Sequence, residues 1–156
     1  MSTQTDVTEK LKQFMSIPRP MLVNGEWVSS ATGETLPVFN PANGEQIAEV
    51  YSADKTDVDK AVDAARAAFE TQGWRRMMPT ERTKLMWKLA DLMENNADEL
   101  IAMEVMNQGK PVGLASDLDV YGSIESLRYY AGWCTKLEGT TTADLSFPDL
   151  RGDDAK

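Results

Sequence analysis

The sequence contains no histidine. That single absence removes imidazole bases, Ser-His triads and histidine metal ligands together. Cysteine occurs once, at Cys134. One thiol cannot close an internal disulfide, and without histidine it cannot build a conventional zinc site. No Asn-x-Ser/Thr acceptor occurs, which with the lone thiol points to a reducing, cytoplasmic setting. No apolar run is long enough to span a bilayer. The opening MSTQTDVTEKLKQFMSIPRP lacks the basic start and apolar centre of a signal peptide. Neither Gly-x-Gly-x-x-Gly nor Gly-x-x-x-x-Gly-Lys-Ser/Thr is present, so the glycines form no recognisable phosphate cradle. Positive charge is scarce: 16 Lys and Arg stand against 25 Asp and Glu, a net −9. A phosphate backbone is repelled by such a surface. The expectation is a chain that binds neither nucleic acid nor membrane.

What is present suffices for a globular core, since 42% of the 156 residues are hydrophobic. Residues 1–20 read as a polar lead-in with one amphipathic turn around Leu11, Phe14 and Met15, halted by Pro18 and Pro20. In MLVNGEWV the dipeptide Asn24-Gly25 signals a tight hairpin turn. Two further strands are expected around Leu36–Phe39 and Gln46–Val50, joined through Asn43-Gly44.

The period then changes. Val58, Ala61, Val62, Ala65 and Phe69 recur at helical spacing, with Thr56 as the expected N-cap and Gly73 closing the region. Thr80 is expected to cap a second helix with an inner stripe of Leu85, Leu89, Leu92 and Met93. Asn96 and Glu99 resemble a fresh capping box. The next helix stops at Gly109, with Pro111 just beyond. A last helix is expected over 116–137, with Val120, Ile124, Leu127, Ala131 and Cys134 on one face and Gly139 as its C-cap. A lone strand at 140–145 follows. Helices of this kind need more strands to cover than the sequence supplies, so the chain reads as the front of a larger protein.

Cys134 lies on the apolar face of the last helix, where a thiol behaves as a small hydrophobe unless a base or cation activates it. The pairs Asp57/Asp59 and Asp117/Asp119 are spaced by two, which points them apart on a helix and suits capping better than shared chemistry. Asn107-Gln108-Gly109-Lys110-Pro111 ends a helix with free carbonyls, which attract cations; an ordinary glycine stop is the stronger reading. Arg151-Gly152-Asp153 matches an adhesion tripeptide by chance.

Taken in order, NGEWV (24–28), FNPANGEQIAEV (39–50), DVDKAVDAARAAF (57–69), KLADLME (88–94), ELIAMEVMNQGKP (99–111) and RYYAGWCTKLEGTT (128–141) resemble the N-terminal region of the aldehyde dehydrogenase superfamily. Within it, the lead-in and the closing DLSFPDLRGDDAK look most like phenylacetaldehyde dehydrogenases. The resemblance implies an α/β fold: the front part of a Rossmann-like NAD-binding domain over 21–139, a lead-in over 1–20, and the start of an oligomerisation arm over 140–156. It implies a thiolate that attacks an aldehyde, hydride transfer to NAD or NADP, and hydrolysis by a glutamate-activated water. The nucleophile, the general base and the dinucleotide turn belong downstream of residue 156 in that family. The segment is therefore expected to be inactive and to bind no cofactor alone.

Two site readings follow from the resemblance. Leu118 and Gly122 would face the substrate tunnel. Val38, through its carbonyl, and Asn107 fall where relatives hold a structural monovalent cation, although an amide replaces the usual carboxylate. The implied partners are a small aldehyde and further copies of the parent chain. The alternative is a genuine short polypeptide that binds or modulates a full-length relative.

Overall fold

A hairpin turn with two residues at positive φ matches the right-handed twist of its flanking strands. Asn24 and Gly25 adopt φ 53° and 81°. They join β1 (Met21–Val23) to β2 (Glu26–Val28), with Leu22 opposite Trp27. The computed structural model describes residues 4–140. A second antiparallel pair, β3 (Thr35–Phe39) and β4 (Gln46–Tyr51), carries a bulge at Val38/Phe39. Its turn is built on side chains: Asn40 Oδ1 accepts from Ala42 N at 2.9 Å, and Asn43 Oδ1 accepts from Glu45 N at 3.0 Å. Arg19 adds itself to β4 as a parallel bridge at Val50.

The helices are α2 (Lys55–Glu70), α3 (Gln72–Arg76), α4 (Pro79–Asn95), α5 (Ala97–Gln108), α6 (Val112–Leu114) and α7 (Tyr121–Ala131). A π-wound turn, Ala115–Val120, joins α6 to α7. The core is where α4, α5 and α7 meet. Ala90, Ala97, Val120 and Ile124 are buried there, with Met93, Leu100, Ile101 and Leu127 packed against them. The Thr83 hydroxyl on α4 reaches the Ala131 carbonyl at 2.9 Å and ties the end of α7 down.

The lead-in is more ordered than its sequence indicates. Residues Gln4–Met15 form a helix, α1, whose Val7 and Leu11 are buried and which lies on α5. An ion pair from Lys10 to Glu99, 3.1 Å, closes one side. A helix this short is marginal alone and takes its stability from tertiary packing. Its partner sits 89 residues away, beyond the reach of a local pattern.

Several caps differ from expectation. Asp54, not Thr56, caps α2: its carboxylate accepts from Asp57 N, while Asp57 Oδ2 accepts from Asp54 N at 3.3 Å. Asp57 also accepts from Ala31 N at 2.9 Å, which anchors the loop after β2 on the helix. Gly73 lies inside α3 rather than ending a helix. α4 starts with Pro79 at its first turn and no side-chain cap, so Thr80 does not serve. Asn96 donates to the Leu92 carbonyl at 2.7 Å instead of capping α5. The last α-helix stops at Ala131, six residues before the expected end, and passes into tight turns such as Cys134 N to Ala131 O. Gly132, not Gly139, follows its end. Leu85, Leu89 and Leu92 are exposed, and Ala90 with Met93 forms the packed face of α4. The strand expected at 140–145 and the tripeptide at 151–153 lie outside the described residues.

Replacing Asp57 by Ala leaves two N–H groups in a half-buried corner without their acceptor. We expect a loss of about 1–3 kcal/mol in urea unfolding, with a smaller loss for Asp57→Asn, which keeps one acceptor oxygen.

Candidate functional site

Leu118, Gly122, Ser126 and Tyr130 are spaced by four along the π turn and α7. They line one face of an open groove of about 450 Å³. Met86 of α4 faces them, and Ser123 and Leu127 complete the lining. The family resemblance points to Leu118 and Gly122 alone. The i, i+4 row to Ser126 and Tyr130 was available in the sequence; Met86, from another helix, was not. A Cβ built on Gly122 would meet only the Asp117 carbonyl, at 3.5 Å, an ordinary contact. Glycine at 122 is therefore not required by the backbone, and its effect is to widen the groove. The groove offers apolar walls with hydroxyls along one side, suited to a bulky, weakly polar molecule.

The π turn results from one extra residue wound into the helix. Tyr121 N–H bonds back five residues to the Ser116 carbonyl. Such turns concentrate at functional positions. Ala115 and Val120 are buried on its inner side, while Leu118 is exposed on the outer. Asp119, expected to act as a cap, instead accepts from Lys110 Nζ at 2.7 Å. Lys110 also donates to Glu104 Oε1 at 2.8 Å. The two carboxylates hold its ammonium above the ordinary 10.5, Asp119 contributing most.

Val38 and Asn107 do come together, in a cavity of about 290 Å³ between β3, β4 and α5. Arg19 and Glu104 share its lining. Glu104 is already engaged by Lys110, and Arg19 brings a second positive charge. That balance does not suit a bare cation. A dinucleotide fares similarly at α2. β4 enters α2 through Ser52-Ala53-Asp54, a turn without glycine, and the carboxylates of Asp54 and Asp57 occupy the helix N-terminus that a pyrophosphate would need. The residues of this turn do not fit the cofactor.

Cys134 is half-buried in the turns after α7. Its sulfur lies 3.7 Å from Met86 Sδ and 3.9 Å from the Tyr130 carbonyl. Neither partner activates a thiol. Arg128, earlier on α7, is committed elsewhere: it binds Glu94, Asp91 at 3.0 Å and Glu125 at 3.5 Å, and lies over the Trp87 ring. The carboxylates, Glu94 first, raise its already high pKa further.

The family model described as Aldehyde dehydrogenase family matches residues 27–151. The chain belongs to the aldehyde dehydrogenase family. It is 51% identical to mouse retinal dehydrogenase 2 over 138 residues, 83% of this chain and 27% of that protein. It is 42% identical to phenylacetaldehyde dehydrogenase of Pseudomonas fluorescens, over 86% of this chain and 26% of that protein. Among solved structures, the NAD+ complex of the Bacillus cereus aldehyde dehydrogenase superposes with a TM-score of 0.79 at 43% identity, covering 85% of this chain and 27% of that one. The chain thus spans under a third of the length of the curated relatives it matches. Its mixed α/β structure is the N-terminal part of the aldehyde dehydrogenase fold.

Proposed function

We propose that this chain is the N-terminal segment of an NAD-dependent aldehyde dehydrogenase and supplies one wall of its aldehyde site. The observation that carries the reading is the match over residues 27–151 to a family whose members it spans only in part. Residues 21–139 then form the front of the NAD-binding domain, and 140–156 begin an arm that pairs subunits of a cytoplasmic homo-oligomer. The downstream part carries the thiol nucleophile and the general base, and the segment alone is inactive. NAD+, held by downstream residues, would supply the hydride acceptor. This chain contributes shape: Leu118, Met86 and Leu127 exclude water, and the missing side chain at 122 leaves room for a ring. That room, and the likeness to the Pseudomonas fluorescens enzyme, favour phenylacetaldehyde as substrate.

Two measurements test this. The isolated chain mixed with NAD+ and phenylacetaldehyde should yield no NADH and show no NAD+ binding in calorimetry; heat of binding would overturn the assignment of the cofactor to downstream residues. In the family-length polypeptide carrying this segment, Gly122→Leu should raise KM for phenylacetaldehyde about tenfold or more while changing that for acetaldehyde less than about twofold. Equal effects on both aldehydes would remove Gly122 from the site.

A further inference from the structure

The Lys110 ammonium bridges α5 and the π turn, which also meet in the core through Val120 and the α5 residues Ala97, Leu100 and Ile101. α5 ends at Gln108, and Gly109 turns the chain through the left-handed region at φ 65°. That turn lets Lys110 reach back to Glu104 on α5 and forward to Asp119 in the π turn, at 2.8 and 2.7 Å. Asp119 lies between Leu118, on the groove, and Val120, in the core.

A π turn persists only where its surroundings fix it, because its winding is less favourable than α. Val120 and Ala115 fix the inner side by burial. On the outer side, Lys110 is the cation that holds Asp119. Relaxing the turn to α winding would rotate the residues before it relative to α7 by about one residue's step, roughly 100°. Leu118, midway through the turn, would rotate by about half that angle relative to Gly122, still on the i, i+4 row but set differently in the groove wall.

We propose that Lys110 is a positioning residue: by pinning Asp119 it keeps the π turn, and with it the Leu118–Gly122 wall, in place. The importance of that wall rests on the aldehyde-site reading; the clamp itself does not.

Amide hydrogen exchange on the 156-residue chain tests the clamp. The diagnostic amide is Tyr121, bonded across the π turn to Ser116. Lys110→Met should speed Tyr121 exchange about tenfold or more, while Ala90 and Ile124 in the core change less than about twofold. Lys110→Arg, which keeps the charge, should restore most of the protection. Unchanged Tyr121 exchange would overturn the proposal. So would an equal acceleration at Tyr121, Ala90 and Ile124, which would mark Lys110 as a general stabiliser. If Lys110→Met does not fold, Asp119→Asn removes the same ion pair with its volume kept and is read by the same local-against-core comparison. A local effect in a family-length polypeptide without dehydrogenase activity would sink the function reading and leave the clamp standing.

Discussion

Replacing Ile124 by Ala should cost about 3–4 kcal/mol, the largest single loss expected in this chain. Among the described residues Ile124 is the largest side chain with no exposed surface, enclosed by Ala90, Ala97 and Val120 with Met93, Leu100, Ile101 and Leu127 around them. The buried neighbours Ala90 on α4 and Ala97 on α5 are small, so they cannot swell to fill the space. The cavity therefore persists, and its cost adds to the lost transfer energy of the removed carbons. A domain of this size has about 5–15 kcal/mol in total, so the variant approaches the unfolding threshold. The midpoint of thermal unfolding should fall by roughly 10–15 °C. Val58→Ala, on the exposed face of α2, should stay within about 0.5 kcal/mol in the same assay. Comparable losses at both positions would mean that the core is not at the α4–α5–α7 junction.

The second large effect is at Gly109. It has two reasons to be glycine where most turn glycines have one. Its φ of 65° strains any residue with a Cβ, and that Cβ would lie 3.0 Å from Pro41 Cγ, 3.2 Å from Ala42 N and 3.5 Å from Ala42 Cβ. Pro41 is a stiff ring and Ala42 N is backbone, so neither yields without moving the β3–β4 turn. Gly33 is a natural control, with φ 73° and nothing within 4 Å. Gly33→Ala should cost about 1 kcal/mol from backbone strain alone, and Gly109→Ala about 2–4 kcal/mol. Urea unfolding of the two variants separates the terms. Equal losses would mean that the approach to Pro41 carries no energy.

Legibility in the sequence followed the range of the interaction. Asn24-Gly25 and Asn43-Gly44 announced their turns because the signal and the structure occupy the same few residues. Gly109 announced a left-handed helix end for the same reason. The buried face Val120, Ile124 and Ala131 followed from periodicity. The failures began where a second element decides. Thr56 and Asp54 are both acceptable caps, and Asp54 is used because Asp57 is drawn into a bond with Ala31 on a distant loop. Leu85, Leu89 and Leu92 make a convincing stripe, but α7 packs on the neighbouring face, where Ala90 lets the backbones approach. At the site, the row 118, 122, 126, 130 was written in the spacing. The π turn and the reach of Lys110 to Asp119 have no sequence period of their own, since an extra residue in a helix looks like any other residue.

The packing of α1 on α5 also has a consequence in time. The first helix leaves the ribosome long before its partner: Lys10 and Glu99 are 89 positions apart. At about 5–20 residues per second, synthesis separates their emergence by roughly 5–20 s. An isolated helix of twelve residues relaxes on a scale of about a microsecond or less and is marginal in water. During the interval α1 is a fluctuating peptide with Val7 and Leu11 in contact with solvent or with whatever else is nearby. α1 is thus made well before the helix that secures it.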